Sequence, residues 1–114
     1  MQELRDLIGE LGDLFQRLRQ TGERIRELIE RNRAAPYEDT DVPIPTDLLN
    51  EFFDLLNQMS QKQTQINQKI MDISALNLNA AESATFTSLS AEFSDLAVEI
   101  NNYVEDIQEV MGEL

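Results

Sequence analysis

Apolar residues recur along most of this chain at alternating steps of three and four, the spacing that places them on one face of an α-helix. The pattern is clearest towards the C-terminal end, where it forms an unbroken series: Phe86, Leu89, Phe93, Leu96, Ile100, Tyr103, Ile107 and Val110. This spacing is typical of a coiled-coil seam, the line of apolar positions at which two helices meet. It predicts a long helix that lies against other helices.

Weaker versions of the pattern predict two further helices upstream. The first covers about residues 2–34, and its apolar residues form two seam lines that three more residues widen: Leu4, Leu11, Leu18 and Ile25, then Leu7, Leu14, Thr21 and Leu28, and finally Ile8, Phe15 and Ile29. The second covers about residues 47–76 and carries one seam: Leu49, Phe52, Leu56, Met59, Ile66, Ile70 and Ile73. The third covers about residues 80–113. Each predicted helix has about 30 residues and is therefore roughly 45 to 50 Å long.

Residues that disfavour helix separate these segments. Prolines end the first helix, so residues 35–46 are expected to form a loop. Thr46 or Asp47 offers a side-chain oxygen that could cap the second helix. Asn79 lies three residues before Glu82, a spacing that resembles a capping box and predicts a turn before the third helix.

The matched helix lengths predict a single all-α domain over residues 1–114, folded as an antiparallel up-down-up three-helix bundle with coiled-coil packing. One alternative stays open because alanines near residue 80 favour helix: the second and third helices could be continuous and form a helical hairpin with the first. Counting residues from the two turns places four residues near mid-height of the bundle: Thr21, Gly22, Gln63 and Phe93.

Gly22 lies inside the first helix, where a glycine costs about 1 kcal/mol relative to alanine. We expect close packing to explain it, with Gly22 making room for the ring of Phe93. A second interpretation is that the first helix detaches and exchanges between its own bundle and a partner. In that case it would show little hydrogen-exchange protection relative to the third helix.

Charge is distributed unevenly along the chain, which has 114 residues and a net charge of -13. Residues 1–34 contain seven arginines and seven acids, whereas residues 35–114 contain fifteen acids against Lys62 and Lys69. An acidic surface repels nucleic acid and anionic lipid, so we expect no direct nucleic-acid binding. No apolar run is long enough to span a membrane and the first residues do not resemble a signal peptide, so we expect a cytoplasmic location, or virion or host cytoplasm for a phage-encoded protein.

The residue types needed for most catalytic chemistry are missing. The chain contains no histidine and no cysteine, which removes the imidazole base, the thiolate nucleophile and the nitrogen and sulfur ligands of metal sites. Its glycines are isolated and do not form a phosphate-binding loop. We expect neither an enzyme nor a protein that binds a cofactor, a metal ion or a small-molecule substrate.

Two sets of residues are candidates for partner binding. The first set is apolar and exceeds what one seam of the second helix uses: Leu48, Phe53 and Leu55. The second set consists of charges that recur every seven residues beside the seams: Arg17, Arg24 and Arg31 in the first helix, and Glu92, Glu99 and Asp106 in the third. We expect these charged lines to be complementary, either as ion pairs within one chain or as charges that orient a protein partner or a second copy.

Three functions are compatible with these features. The leading one is a small structural or adaptor subunit, or a chaperone of a larger assembly, that acts by helix packing and forms oligomers. The second is an acidic inhibitor of the phage anti-defence or nucleic-acid-mimic type, which blocks a basic nucleic-acid-binding partner. The third is a secreted helical effector or secretion substrate. Salt distinguishes the first two, because binding through acidic side chains weakens with ionic strength whereas apolar docking does not.

Overall fold

The computed structural model of the protein describes residues 1–34 and 44–112, which form three helices. They are α1 (Gln2–Ala34), α2 (Thr46–Ser74) and α3 (Ala80–Gly112), and this part of the chain contains no β-strand. α1 packs against both other helices. The predicted all-α three-helix bundle is therefore confirmed. Most of the expected loop at residues 35–46 lies outside the described residues.

Two ion pairs fix the direction and register of α2 against α1. The Nζ of Lys62 lies 2.8 Å from a carboxylate oxygen of Glu10, and Lys69 pairs with Glu3, seven residues away on each helix. Residue numbers rise on one helix as they fall on the other, so the two helices are antiparallel. The same register sets the start of α2 at Thr46 level with Arg26, so the last two turns of α1 extend past it.

α3 runs in the same direction as α1. Near the start of both helices Arg5 lines a groove with Thr85 and Ser88, and further along the hydroxyl of Tyr103 donates a hydrogen bond of 3.1 Å to the carbonyl oxygen of Arg19. The backbones of α1 and α2 approach closely over a longer stretch than those of α1 and α3, and α2 and α3 have almost no close backbone approach. α1 is therefore the central helix of the bundle.

The core lies along the axis of a rod that measures 66 by 20 by 17 Å. Every seam residue of the predicted third helix is buried or packs against the core, as the three-four spacing required. The buried apolar side chains come from all three helices: Leu4, Ile8, Leu11, Phe15, Leu18, Ile25 and Ile29 of α1, Phe52, Leu55, Met59, Ile66 and Ile73 of α2, and Leu89, Phe93, Ile100 and Ile107 of α3.

The wide apolar face of α1 follows from its central position. One flank of its seam faces α2, where Leu28 shares a groove with Leu48. The other flank faces α3, where the rings of Phe15 and Tyr103 meet edge to face with their centroids 5.9 Å apart. A helix with two neighbours needs two apolar flanks, which explains why the sequence shows both seam lines and residues that widen the face.

A capping box separates α2 from α3. The backbone N–H of Glu82 donates to the side-chain oxygen of Asn79 at 2.8 Å, and the N–H of Asn79 donates back to the Glu82 carboxylate at 3.2 Å. These reciprocal bonds satisfy N–H groups at the start of a new helix. Residues 75–79 are not helical. The alternative of one continuous helix is therefore wrong.

The predicted N-cap of α2 is also wrong. α2 begins at Thr46, with Pro45 at the capping position and no side-chain oxygen bound to the free N–H groups. The N–H groups of Leu48 and Leu49 instead donate to the carbonyl oxygen of Pro45, at 3.1 and 3.2 Å. Pro45 itself is not helical, with φ -57° and ψ 133°, and its missing N–H costs the helix no hydrogen bond because it precedes the first turn.

Gly22 makes room for Tyr103 and not, as the sequence predicted, for Phe93. The hydroxyl oxygen of Tyr103 lies 2.5 Å from the place that a Cβ on residue 22 would occupy. The prediction failed because it took the two helices to turn at the middle of the loop, whereas α1 extends past the start of α2. Gln63 lies level with Gly9 as a result, more than three helical turns from the level predicted on α1.

Leu55 is a core residue, contrary to its predicted place among the surplus apolar residues. Its side chain is 3% exposed, whereas Leu56, which was expected in the seam, is only half-buried. Leu55 lies seven residues before Lys62, on the flank of α2 that contacts α1. Because α1 and α2 form the closest helix pair, the α1-facing flank is buried more deeply than the α3-facing flank.

Candidate interaction surfaces

An aromatic cluster fastens α1 to α3. The guanidinium carbon of Arg19 lies 5.5 Å from the ring centroid of Phe15 and 5.8 Å from that of Tyr103. Both distances are within the range of cation–π attraction. Burial raises the pKa of Tyr103 to about 12, and the negative charge of Glu23 contributes in the same direction. The phenol therefore stays neutral and acts as a hydrogen-bond donor to the backbone of α1.

The predicted acidic line of α3 lies along the groove between α1 and α3. Glu99 and Asp106 line this groove together with Arg19, and Glu92 lines it together with Arg5. Among residues 1–31 and 44–112, however, no ion pair joins α1 to α3. The carboxylates thus lie near arginines without being fixed to them, and the groove combines both signs of charge.

The predicted basic line of α1 lies in a different groove. Arg17 and Arg24 line a groove between α1 and α2 together with Glu51, and Arg31 is exposed near the C-terminal end of α1. The structure therefore does not bring these arginines together with the acidic line of α3. Arg5 and Arg19, on the opposite flank of α1, take that place.

Lys62 and Lys69 contact α1, a role that sequence reasoning did not assign to them. Both lie on the flank of α2 that contacts α1, seven and fourteen residues after the buried Leu55. Their side chains are 23% and 32% exposed. A hydrogen bond and the charge of Lys69 lower the pKa of Glu3, and Glu3 raises the pKa of Lys69 in return. The signal that could have found them is their seven-residue phase with Leu55.

The three apolar candidates for partner binding differ in how deeply they are buried. Leu55 belongs to the core, and Leu48 is half-buried in a groove with Arg24 and Leu28. Phe53 remains 50% exposed, although its ring meets that of Phe52 edge to face at 5.8 Å. Of the three, only Phe53 presents a large apolar surface to solvent.

The position of Phe53 follows from the two flanks of α2. The flank that carries Lys62 and Lys69 contacts α1, so the opposite flank, with the half-buried Leu56 and Ile70, faces α3. Phe53 lies next to that second flank, on the outside of the rod. By the same reasoning the flank of α3 opposite its acidic line faces α2.

The outward positions next to these two flanks lie on the same side of the rod, and together we call them the low-charge face. All of its residues are exposed: Asn50, Phe53, Asn57, Ser60, Thr64, Asn67, Met71 and Ser74 of α2, with Ala84, Thr87, Ala91, Ser94, Val98, Asn101, Glu105 and Gln108 of α3. Only Glu105 carries a charge. Three of the large apolar side chains that the protein exposes are here: Phe53, Val98 and Met71, which are 50%, 57% and 64% exposed.

The surface of α1 contrasts with the low-charge face. Twelve of the sixteen exposed residues between Gln2 and Arg31 are charged, against one of sixteen on the low-charge face. The acids of α2 and α3 lie mainly on the positions between the low-charge face and α1, as Asp54 and Asp95 do. A chain with a net charge of -13 thus keeps one side of its rod almost free of charge.

Known proteins offer no further guide to these surfaces. The chain matches no protein-family model, no curated protein sequence and no solved structure. In residues 1–34 and 44–112, no three acidic side chains converge where they could hold a metal ion. None of the three described helices has an apolar stretch long enough to cross a membrane.

Proposed function

We propose that this protein is a non-enzymatic interaction module that acts by helix packing, as a small structural or adaptor subunit, or a chaperone, of a larger assembly. The low-charge face is the observation that carries the proposal. Fifteen of its sixteen residues are uncharged, whereas most exposed residues of α1 carry a charge.

Burial in an interface favours such a composition. The fully buried centre of a protein–protein interface is depleted in charged residues, because each buried charge must be desolvated or paired. Exposed aromatic and methionine side chains are enriched at the same centres, and Phe53 and Met71 belong to these types. A contiguous exposed patch with these side chains usually marks a contact site.

Small side chains add a geometric reason. Ser60, Ala91 and Ser94 lie along the middle of the face, where they leave space for the backbone of another helix. Packed helices have axes about 8 to 10 Å apart, and small residues at the contact favour the shorter separations. Phe53 lies near one end of the face and can act as an anchor in a pocket of the partner. The face therefore allows close approach of another helix along its middle and offers one large apolar anchor near its end.

Site-specific photo-cross-linking in the cells that make the protein tests this function. A photoreactive amino acid replaces Phe53, and in a matched control it replaces Gln16, which is exposed on the outward face of α1. We expect covalent adducts with a protein from position 53 and none from position 16. Equal yields at the two positions, or no adduct at either in the folded protein, would overturn the proposal.

The acidic-inhibitor function receives less support from the surface charges. Its strongest feature is the line of Glu92, Glu99 and Asp106, yet Arg5 and Arg19 line the same groove and offset the charge. A nucleic-acid mimic presents carboxylates in place of phosphates, and neighbouring arginines reduce the negative potential that such a surface needs. If this function is nevertheless the right one, a basic partner should be released steeply as ionic strength rises.

A further inference from the structure

We infer that the low-charge face is occupied by a second copy of the same chain, so that two rods pack face to face with the two α1 helices on the outside. This inference rests on the proposed function and names the partner of the same face. It follows from three properties of the rod: the sign and placement of its charges, the direction of its helices and the area of the face.

Charge selects the occupant. A strongly charged partner would lose solvation on this face and find only Glu105 to interact with, so the matching surface must itself be almost uncharged. The low-charge face of a second copy meets this requirement. Contact through other sides of the rod would instead bury the charged residues of α1 or bring acids of α2 and α3 from two copies together.

The helix directions suit a two-fold contact. α2 and α3 are antiparallel to each other, because α2 is antiparallel to α1 and α3 is parallel to it. A two-fold axis lying in the contact plane makes the same surface contact itself, as in most homodimers. Every pair of neighbouring helices in the resulting central four-helix layer is then antiparallel, the arrangement found in up-down four-helix bundles.

The area is sufficient for a stable dimer. On α2 the face runs from Asn50 to Ser74, which spans roughly 36 Å at about 1.5 Å per residue. The rod is 20 Å wide. The face thus offers roughly 700 Å² per copy, or roughly 1,400 Å² for two copies, and stable specific interfaces bury about 1,200 to 2,000 Å² in total.

The dimer also has an expected response to salt. Each chain carries a net charge of -13, so two copies repel each other wherever they do not touch. Salt screens this repulsion, whereas it leaves the uncharged contact unaffected. The dimer should therefore become tighter as ionic strength rises, in contrast to a complex held by opposite charges.

Sedimentation equilibrium over a range of protein and salt concentrations tests the inference. We expect the wild type to form a species of twice the 13.1 kDa chain mass. Ser94→Glu should raise the dissociation constant of the dimer at least tenfold, whereas Ser88→Glu should change it at most threefold. The control lies on the same helix but outside the face, and both variants should keep the wild-type helical circular dichroism. Asn67→Glu repeats the test from α2.

Each possible result has one meaning. A wild type that remains monomeric at high salt and high concentration overturns the inference, and so does a dimer that Ser88→Glu and Ser94→Glu weaken equally. If position 53 cross-links to a different protein, the proposed function remains supported after either of these results. Failure of cross-linking together with a monomeric wild type would overturn both.

Discussion

Gly22 of α1 and Tyr103 of α3 fill one position of the helix interface together. Gly22 stands seven residues after Phe15 and seven before Ile29, on a line of α1 where the other residues are buried and large. The Tyr103 phenol takes the vacant side-chain space, and its hydroxyl reaches the carbonyl oxygen of Arg19. The absence of a side chain at Gly22 therefore makes space for Tyr103, which explains a glycine inside the helix.

Alanine substitutions of three glycines in α1 test this relationship. A Cβ on Gly9 or Gly12 meets nothing within 4 Å. Alanine at either position should therefore raise the free energy of unfolding by about 0.5 to 1 kcal/mol through helix propensity. Alanine at position 22 should instead lower it by about 1 kcal/mol, because displacing Tyr103 loses its hydrogen bond and its contact with Phe15. Urea unfolding measures all three.

Removal of the tyrosine provides the control for position 22. In a Tyr103→Leu background the close contact is gone, so Gly22→Ala should stabilise that variant by about 0.5 to 1 kcal/mol, as it does at the open positions. If Gly22→Ala stabilises the wild type as much as Gly9→Ala does, Gly22 and Tyr103 do not share the space.

The raised pKa of Tyr103 predicts a loss of stability in alkali. In the unfolded chain a tyrosine ionises near its ordinary pKa of about 10, whereas in the folded protein Tyr103 keeps its proton up to about 12. Below pH 10 both states are protonated and the contribution to stability is fully present. Between pH 10 and 12 only the unfolded state loses the proton, so stability falls as pH rises.

A spectrophotometric titration measures this pKa directly. The chain has only one other tyrosine, so in Tyr37→Phe the absorbance of the tyrosinate ion reports Tyr103 alone. We expect ionisation well above pH 10 in the folded protein and near pH 10 in urea. The alkaline loss of stability should also be smaller in Tyr103→Phe, and an unchanged pH profile would contradict the assignment.

The helical periodicity of the sequence was sufficient to predict the three helices and most of the core. Seams with a strict three-four spacing, such as the one through Phe93 and Ile100, identify the buried face because only one side of a helix can face the axis. The capping box of Asn79 and Glu82 was predicted from spacing alone, since both hydrogen bonds are local. Local chemistry of this kind does not depend on the rest of the fold.

Register between helices could not be obtained in the same way. The level of Gly22 depends on how far α1 extends past the start of α2, which is a property of the packed pair and not of either helix. Nor does the sequence show which flank of a helix faces which neighbour, so Leu55 was placed among the surplus apolar residues and Arg17 was matched with acids that line a different groove. The low-charge face also required the register, because its residues become one surface only after α2 and α3 are placed side by side.

Lys62 lies on the flank of α2 that contacts α1, and we expect its replacement by an apolar residue to stabilise the bundle. Its aliphatic stem already lies along the interface with α1, so methionine, which is similar in length, can follow the same path without a charge. An exposed ion pair contributes only about 0 to 1 kcal/mol, and the loss of the Glu10 contact is thus offset by added apolar burial. We expect Lys62→Met to raise the free energy of unfolding by about 0.5 to 1 kcal/mol.

A double-mutant cycle with Glu10→Gln separates the two contributions. The coupling between Lys62 and Glu10 should be below about 1 kcal/mol and should decrease as salt is added. Destabilisation by Lys62→Met that persists at high salt would show that the lysine contributes more through its charge than its position on the apolar flank indicates.

The central position of α1 makes it the helix whose amides should exchange most slowly with solvent. Release of α2 or α3 breaks one of the two interfaces in which backbones approach closely, whereas release of α1 breaks both of them. Amides near Leu11 and Leu18 should therefore be at least as protected as those near Ile100. Hydrogen exchange followed by mass spectrometry or NMR measures the difference, and fast exchange in α1 beside a protected α3 would show that the first helix detaches.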